Sequence, residues 1–242
     1  MAQHDRGTGI ARSLSLKYGR WMAGALLAAC LGNATAQTVR WEDYRGDANV
    51  GTYTGPAGRP TFANNTGTGA DRLNALRAIA ANAANAVRTG TAADINYRQT
   101  GYNLCHSGIG SASATSCGLQ AMGRVSYALI QFPQAGTYNV SIAHDDNVEL
   151  GFSSDYANTA YRTASYDVPV GTVNNWTSGE DDYATLGSFT AANANSCALV
   201  RMYWLNHGGI NFARLRWTLP GGGAPVIIPA TAFRDPAAAA SA

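Results

Sequence analysis

Lysine is all but missing. Lys17 is the only one, so beyond residue 36 every fixed positive side chain is an arginine. Lys17, Arg6, Arg12, Arg20 and Asp5 lie before that point. They leave 13 arginines against 14 acidic residues and a net charge near −1, although the whole sequence sums to +2. Charge is also sparse, at 13% of residues, and no stretch gathers arginine into a basic stripe. The electrostatic footprint of a nucleic-acid binder is therefore lacking. HExxH, P-loop and dinucleotide fingerprints are absent, and the string nearest to a GxSxG elbow, Gly108-Ile109-Gly110-Ser111, does not fit it. No cysteine pair has CxxC spacing, and His106 is a single histidine beside Cys105, so a zinc site has no framework. No internal repeat is visible.

The first 36 residues read as an export signal. Four basic residues precede the run WMAGALLAACLG, which is too short to span a bilayer, and Ala34-Thr35-Ala36 is a small-x-small cleavage site before Gln37. Leu27-Ala28-Ala29-Cys30 offers a second route, a lipoprotein box in which Cys30 becomes the lipidated first residue. Both routes export the remainder, secreted or held at the cell surface. Residues 37–236 have the length of one large domain with a substantial core, and the closing AAAASA (237–242) is expected to be a disordered tail.

Three cysteines remain beyond the signal. In an oxidising compartment Cys105–Cys117 is the expected bridge, because HSGIGSASATS between them is a pliable loop. Closing it would contribute on the order of 3 kcal/mol. Cys197 is then left over at the start of a strand; the alternative joins Cys197 to one of the other two.

One helix is predicted, over residues 70–88. Leu73, Leu76, Ile79, Ala80, Ala83 and Val87 recur at i, i+3, i+4 spacing, with Asp71 in the first turn and Gly90 as a stop. From residue 124 the period becomes two. Tyr138, Val140 and Ile142 share one face; Ala198, Val200, Met202 and Trp204 another. Ala213, Leu215, Trp217 and Leu219 point inward, with Arg214 and Arg216 outward. Such alternation over many short strands predicts an all-β, antiparallel sandwich or barrel with one inserted helix.

The sequence HDDNVEL, residues 144–150, ends the apolar strand TYNVSIA with two adjacent carboxylates. Asp-Asp-Asn is ordinary turn chemistry, and a second acidic cluster, Glu180-Asp181-Asp182, is expected to be a solvated loop. Ca²⁺ is the other reading, since it takes 6–8 oxygen ligands at roughly 2.3–2.6 Å. Consecutive side chains of a trans strand point to opposite faces, so sharing one ion requires a sharp turn or a cis peptide between Asp145 and Asp146. His144, Asp145, Asp146 and Glu149 can also be posed as acid–base groups. Adjacent carboxylates, however, do not flank a substrate as a glycosidase pair does, and binding is favoured over catalysis.

Pro133-Gln134-Ala135-Gly136-Thr137-Tyr138, Asp145-Asp146, the strand 198–204, Trp217-Thr218-Leu219-Pro220 and Ile228-Pro229-Ala230 follow one another in an order that resembles the protective-antigen-type β-sandwich domain. That family includes the lectin domains of yeast flocculins and epithelial adhesins. The resemblance covers residues 124–233 and is thin before them. It implies an antiparallel, jelly-roll-like sandwich that binds glycans through Ca²⁺. Asp145 and Asp146, joined by a cis peptide, would be the anionic ligands, Asn206 the amide ligand, and Gly208 and Ile210 the carbonyl ligands. Trp176 and His207 are the nearest candidates to contact the sugar.

Overall fold

Strands that hide one face need a second sheet to hide it against. The structure, a computed structural model, describes residues 37–49, 58–63, 67–98, 120–153, 160–207 and 210–237. The described elements are β1 (Val39–Asn49), α1 (Gly69–Ala80), β2 (Arg88–Ala92), β3 (Asn96–Tyr97), β4 (Gln120–Phe132), β5 (Gly136–Asp145) and β6 (Asn147–Ser153). After these come β7 (Val168–Val173), β8 (Ala184–Ala191), β9 (Ser196–Asn206), β10 (Phe212–Thr218), β11 (Val226–Ile227) and β12 (Phe233–Arg234). The larger sheet runs β2-β1-β4-β9-β6-β7 with β12 beside β4, and the smaller runs β11-β10-β5-β8 with β3 beside β10. Neighbouring strands pair antiparallel throughout, in the all-β arrangement that the period of two predicts.

The faces assigned by alternation are the ones that meet. Tyr138, Val140 and Ile142 of β5, Ala198, Val200, Met202 and Trp204 of β9, and Ala213, Leu215 and Trp217 of β10 form one core between the sheets. At one side β7 and β8, from different sheets, approach through glycine. A Cβ on Gly187 would stand 2.1 Å from the Val170 carbonyl oxygen, and one on Gly171 2.0 Å from that of Leu186. Gly187→Ala is therefore expected to destabilise the protein by about 1–3 kcal/mol through overpacking against immovable backbone. A thermal melt indistinguishable from the parent's would contradict this.

α1 covers the outer face of the larger sheet. The Thr68 hydroxyl accepts from the Asp71 N–H at 3.3 Å, and the Asp71 carboxylate accepts from the Thr68 N–H at 2.7 Å, forming a capping box. Leu73, Leu76, Ile79 and Ala80 bury against Tyr44, Val125, Tyr127, Tyr203 and Leu205. The predicted extension to residue 88 does not form. Asn82 instead accepts from the Ala84 N–H at 3.0 Å and opens one 3₁₀ turn, leaving Ala83 exposed. Val87 enters the core between the sheets, and Arg88 onward pairs with β1. Gly90 is thus a strand residue beneath the Trp41 ring rather than a helix stop. Helix propensity is a weak prior, and here strand pairing, together with the Arg88–Asp43 ion pair at 2.5 Å, overrides it.

Two further expectations change. Arg214 does not face water. It is buried, donating to Asn96 Oδ1 at 2.9 Å, the Glu180 carbonyl at 2.7 Å and Asp181 Oδ1 at 2.5 Å. In the acidic loop Glu180 and Asp181 are thereby ion-paired, Glu180 also to Arg98 at 2.9 Å, while Asp181 and Asp182 stay exposed as a solvated loop would. Cys197 is not left over: it is buried and disulfide-bonded, with its partner outside the described residues. Cys105, Cys117, Cys30, the signal segment and residues 238–242 also lie outside them. Among the described residues no helix is long and apolar enough to cross a membrane.

Candidate functional site

β5 belongs to the smaller sheet and ends at Asp145, opposite Phe212; β6 belongs to the larger and begins at Asn147, opposite Leu205. The chain changes sheets across the two aspartates, and the peptide between them is cis. The second crossover, from Asn206 at the end of β9 to Phe212 at the start of β10, lies at the same end of the sandwich. Side chains and backbone lock the two together. The Asp145 carbonyl accepts from Trp204 Nε1–H at 2.8 Å and from the Asn206 amide at 3.5 Å. The Asp146 N–H donates to the Leu205 carbonyl at 3.0 Å, and the Asp146 carboxylate accepts from the His207 N–H at 2.5 Å. Asn206 also donates to the Ile210 carbonyl at 2.6 Å.

The carboxyls of Asp145 and Asp146 lie within hydrogen-bonding reach of each other. Burial, then the neighbouring Asp146 charge and hydrogen bond, push the Asp145 carboxyl up to about 7. Beside them the Asn206 side chain is fully buried, and among the described residues its Oδ1 has no hydrogen-bond partner. Oδ1 of the adjacent Asn147 is in the same condition. A buried acceptor without a donor is destabilising, by about 1–3 kcal/mol, unless a cation or other donor completes it. The ring of His144 is buried, its Nδ1–H turned onto the Asp146 carbonyl, and burial lowers its pKa. Among the described residues no group of three or more His, Cys, Asp or Glu is gathered for a metal. The donors at this crossover are carboxylate, amide and carbonyl oxygens, a set that suits Ca²⁺ rather than zinc. Gly208 lies outside the described residues.

The loop between β7 and β8 closes on the same step. The Thr177 N–H donates to the His144 carbonyl at 2.8 Å, and its hydroxyl accepts from the His144 N–H at 3.0 Å. With Arg214 clamping residues 180 and 181, the loop is held directly after Trp176, a residue that is itself 63% exposed. His207 is exposed and joined to Asp146 through its backbone. Glu149 is not part of this group: it is ion-paired with Arg77 at 2.5 Å. Trp204, Thr177 and Asn147 carry no signal in the sequence as members of the site. Trp204 reads as a core residue, and it is one, stacked on Tyr97 at 5.5 Å, but its indole N–H reaches out to the Asp145 carbonyl.

No family model and no curated protein matches the sequence. Solved structures do resemble it. The PA14 sugar-binding domain from an RTX adhesin is 16% identical, with a TM-score of 0.51 over 83% of this chain and 99% of that one. The A domain of epithelial adhesin 6 from Candida glabrata, solved with Galβ1-3GlcNAc, is 14% identical, with a TM-score of 0.52 over 85% and 89%. The A domain of epithelial adhesin 9 from the same organism, also with Galβ1-3GlcNAc, is 11% identical, with a TM-score of 0.54 over 85% and 93%. At these identities the likeness is one of fold: the chain has the β-sandwich seen in PA14 domains and epithelial-adhesin A domains.

Proposed function

We propose that this chain is an exported, Ca²⁺-dependent carbohydrate-binding domain of the lectin or adhesin kind. One observation carries the reading: the fully buried Oδ1 of Asn206, without a partner among the described residues, beside the paired carboxylates of Asp145 and Asp146. Asp145, Asp146 and Asn206 would hold the ion, with carbonyl oxygens from Gly208 and Ile210. When bound, Ca²⁺ supplies coordination positions that vicinal sugar hydroxyls can fill. The rest is done by the protein. Trp204 and Asn206 fix the peptide between the aspartates, Thr177 docks the neighbouring loop, and Trp176 offers an apolar ring face beside the step. His207 stands at the rim, where a ring nitrogen can meet a sugar hydroxyl. The sugars in the adhesin complexes make galactosides the first probes to try.

Calorimetric titration of Ca²⁺ into EDTA-stripped protein tests the reading. One site is expected, abolished by Asp146→Ala. If the parent takes up no Ca²⁺, a metal-free structural or protein-interaction module replaces it. The sugar contact has its own test. Trp176→Ala should weaken glycan binding about tenfold, the size of a lost aromatic contact, while Ca²⁺ binding and melting temperature stay at parent values. Unchanged glycan affinity would remove Trp176 from the site.

A further inference from the structure

On the outer face of the larger sheet, away from the paired aspartates, a cavity of about 300 Å³ opens beside α1. Register explains the opening. Gly151 stands opposite Arg201 in the β6–β9 pairing, so the position beside the arginine carries no side chain. A Cβ there would come within 3.2 Å of Tyr166 Cβ. The Arg201 guanidinium lies over the Tyr166 ring at 4.1 Å and the Tyr203 ring at 4.9 Å. Tyr166 is itself fixed by its hydroxyl, which donates to the Tyr161 carbonyl at 2.6 Å. Among the described residues no carboxylate pairs with Arg201 and no acceptor meets its guanidinium. A stacked guanidinium keeps its N–H edges for a planar oxyanion. The opposite wall is the Arg77–Glu149 pair, and Thr172, opposite Glu149 on β7, adds a hydroxyl.

We propose that this cavity binds a hexuronate, a monosaccharide carrying one carboxylate. The volume lies at the lower end of the range of small-molecule sites, about 300–1,000 Å³, which suits one pyranose ring. Arg201 takes the carboxylate with its two-pronged edge. Glu149 accepts from ring hydroxyls, and Thr172 donates to or accepts from another. The mixed lining argues against phosphate: two arginines offset by one glutamate leave a single positive charge, suited to a monoanion, and Glu149 repels a dianion. The site stands on its own residues and does not depend on the ion reading.

The test is a titration of glucuronate, glucose and inorganic phosphate into the protein in EDTA, followed by amide NMR. Saturable millimolar binding of glucuronate that shifts the Gly151 and Arg201 amides is expected, with glucose and phosphate at least about tenfold weaker, the discrimination a charge-assisted bidentate contact gives. Arg201→Gln should abolish that preference while the melting temperature holds, and Thr172→Val should weaken glucuronate with less effect on selectivity. No saturable glucuronate response in the parent overturns the proposal, as does equal binding of glucose, tighter binding of phosphate, or undiminished affinity in Arg201→Gln. Should Arg201→Gln fail to fold, the parent's three-ligand comparison and Thr172→Val decide.

Discussion

Millimolar Ca²⁺ added to EDTA-stripped protein is expected to raise its melting temperature by about 5–10 °C. A ligand at about one hundred times its dissociation constant adds roughly 2.7 kcal/mol to the folded state, and a domain of this size shifts by about 2–4 °C per kcal/mol. The physical source is the crossover between the sheets. Two carboxylates within hydrogen-bonding reach repel when both are ionised, and the buried Asn206 oxygen beside them meets no donor among the described residues. A cation would relieve both defects at once. Asp146→Ala should eliminate the Ca²⁺ increment, and it should not lower the melting temperature in EDTA by a comparable amount, because it also removes the repulsion. Asn206→Ala should reduce the increment too, and differs in losing the amide donation to Ile210. Differential scanning calorimetry with and without the ion reads all three; a parent midpoint indifferent to Ca²⁺ would end the ion hypothesis.

Arg124→Met should destabilise the fold by about 3–5 kcal/mol, the usual consequence of stripping one partner from a buried ion pair. Asp43 is fully buried and is gripped by Arg124 through two bonds, Nε to Oδ1 at 2.7 Å and Nη2 to Oδ2 at 3.0 Å, with Arg88 adding two more to Oδ2, from Nε at 2.8 Å and from Nη2 at 2.5 Å. The Arg124 guanidinium lies 4.2 Å from the Trp41 ring and 4.9 Å from the Tyr97 ring. Burial works against its charge, but the charge and hydrogen bonds of Asp43 hold its pKa above the ordinary arginine value. In the single variant only the partly exposed Arg88 would remain to compensate Asp43. The double variant Asp43→Leu/Arg124→Met should recover much of the loss, since a buried pair and an apolar replacement of similar volume are often of equal stability. Urea denaturation of the three proteins measures this. A single-variant loss below about 1 kcal/mol would mean that water reaches Asp43.

Much of this was legible in the residues. The alternation of Ala198, Val200, Met202 and Trp204, and of Ala213, Leu215 and Trp217, named the inner faces that the sandwich buries. The helix was legible in its first three turns and misread in its last two. The Ala-rich spacing continues past Ala80, while Asn82 turns the chain and Asp43, distant in sequence, draws Arg88 into a strand. Arg214 was misread for the same kind of reason. Alternation places it outward, but a loop from between β7 and β8 folds over it. The cavity at Arg201 was not legible at all, because a glycine on β6 and an arginine on β9 become neighbours only through register.

What the sequence determined by itself was local: which residues alternate, where two carboxylates end an apolar strand, and which asparagine closes a later one. Periodicity is a property of a few consecutive residues, so it survives without knowledge of neighbours. The tertiary structure alone decided that both crossovers between the sheets stand at one end. There β5 passes to β6 at Asp145–Asp146 and β9 passes to β10 after Asn206, and Trp204 ties the two together. That meeting depends on strand order and register over distances of some 60 residues, and those are set by how the two sheets pack rather than by any stretch of chain.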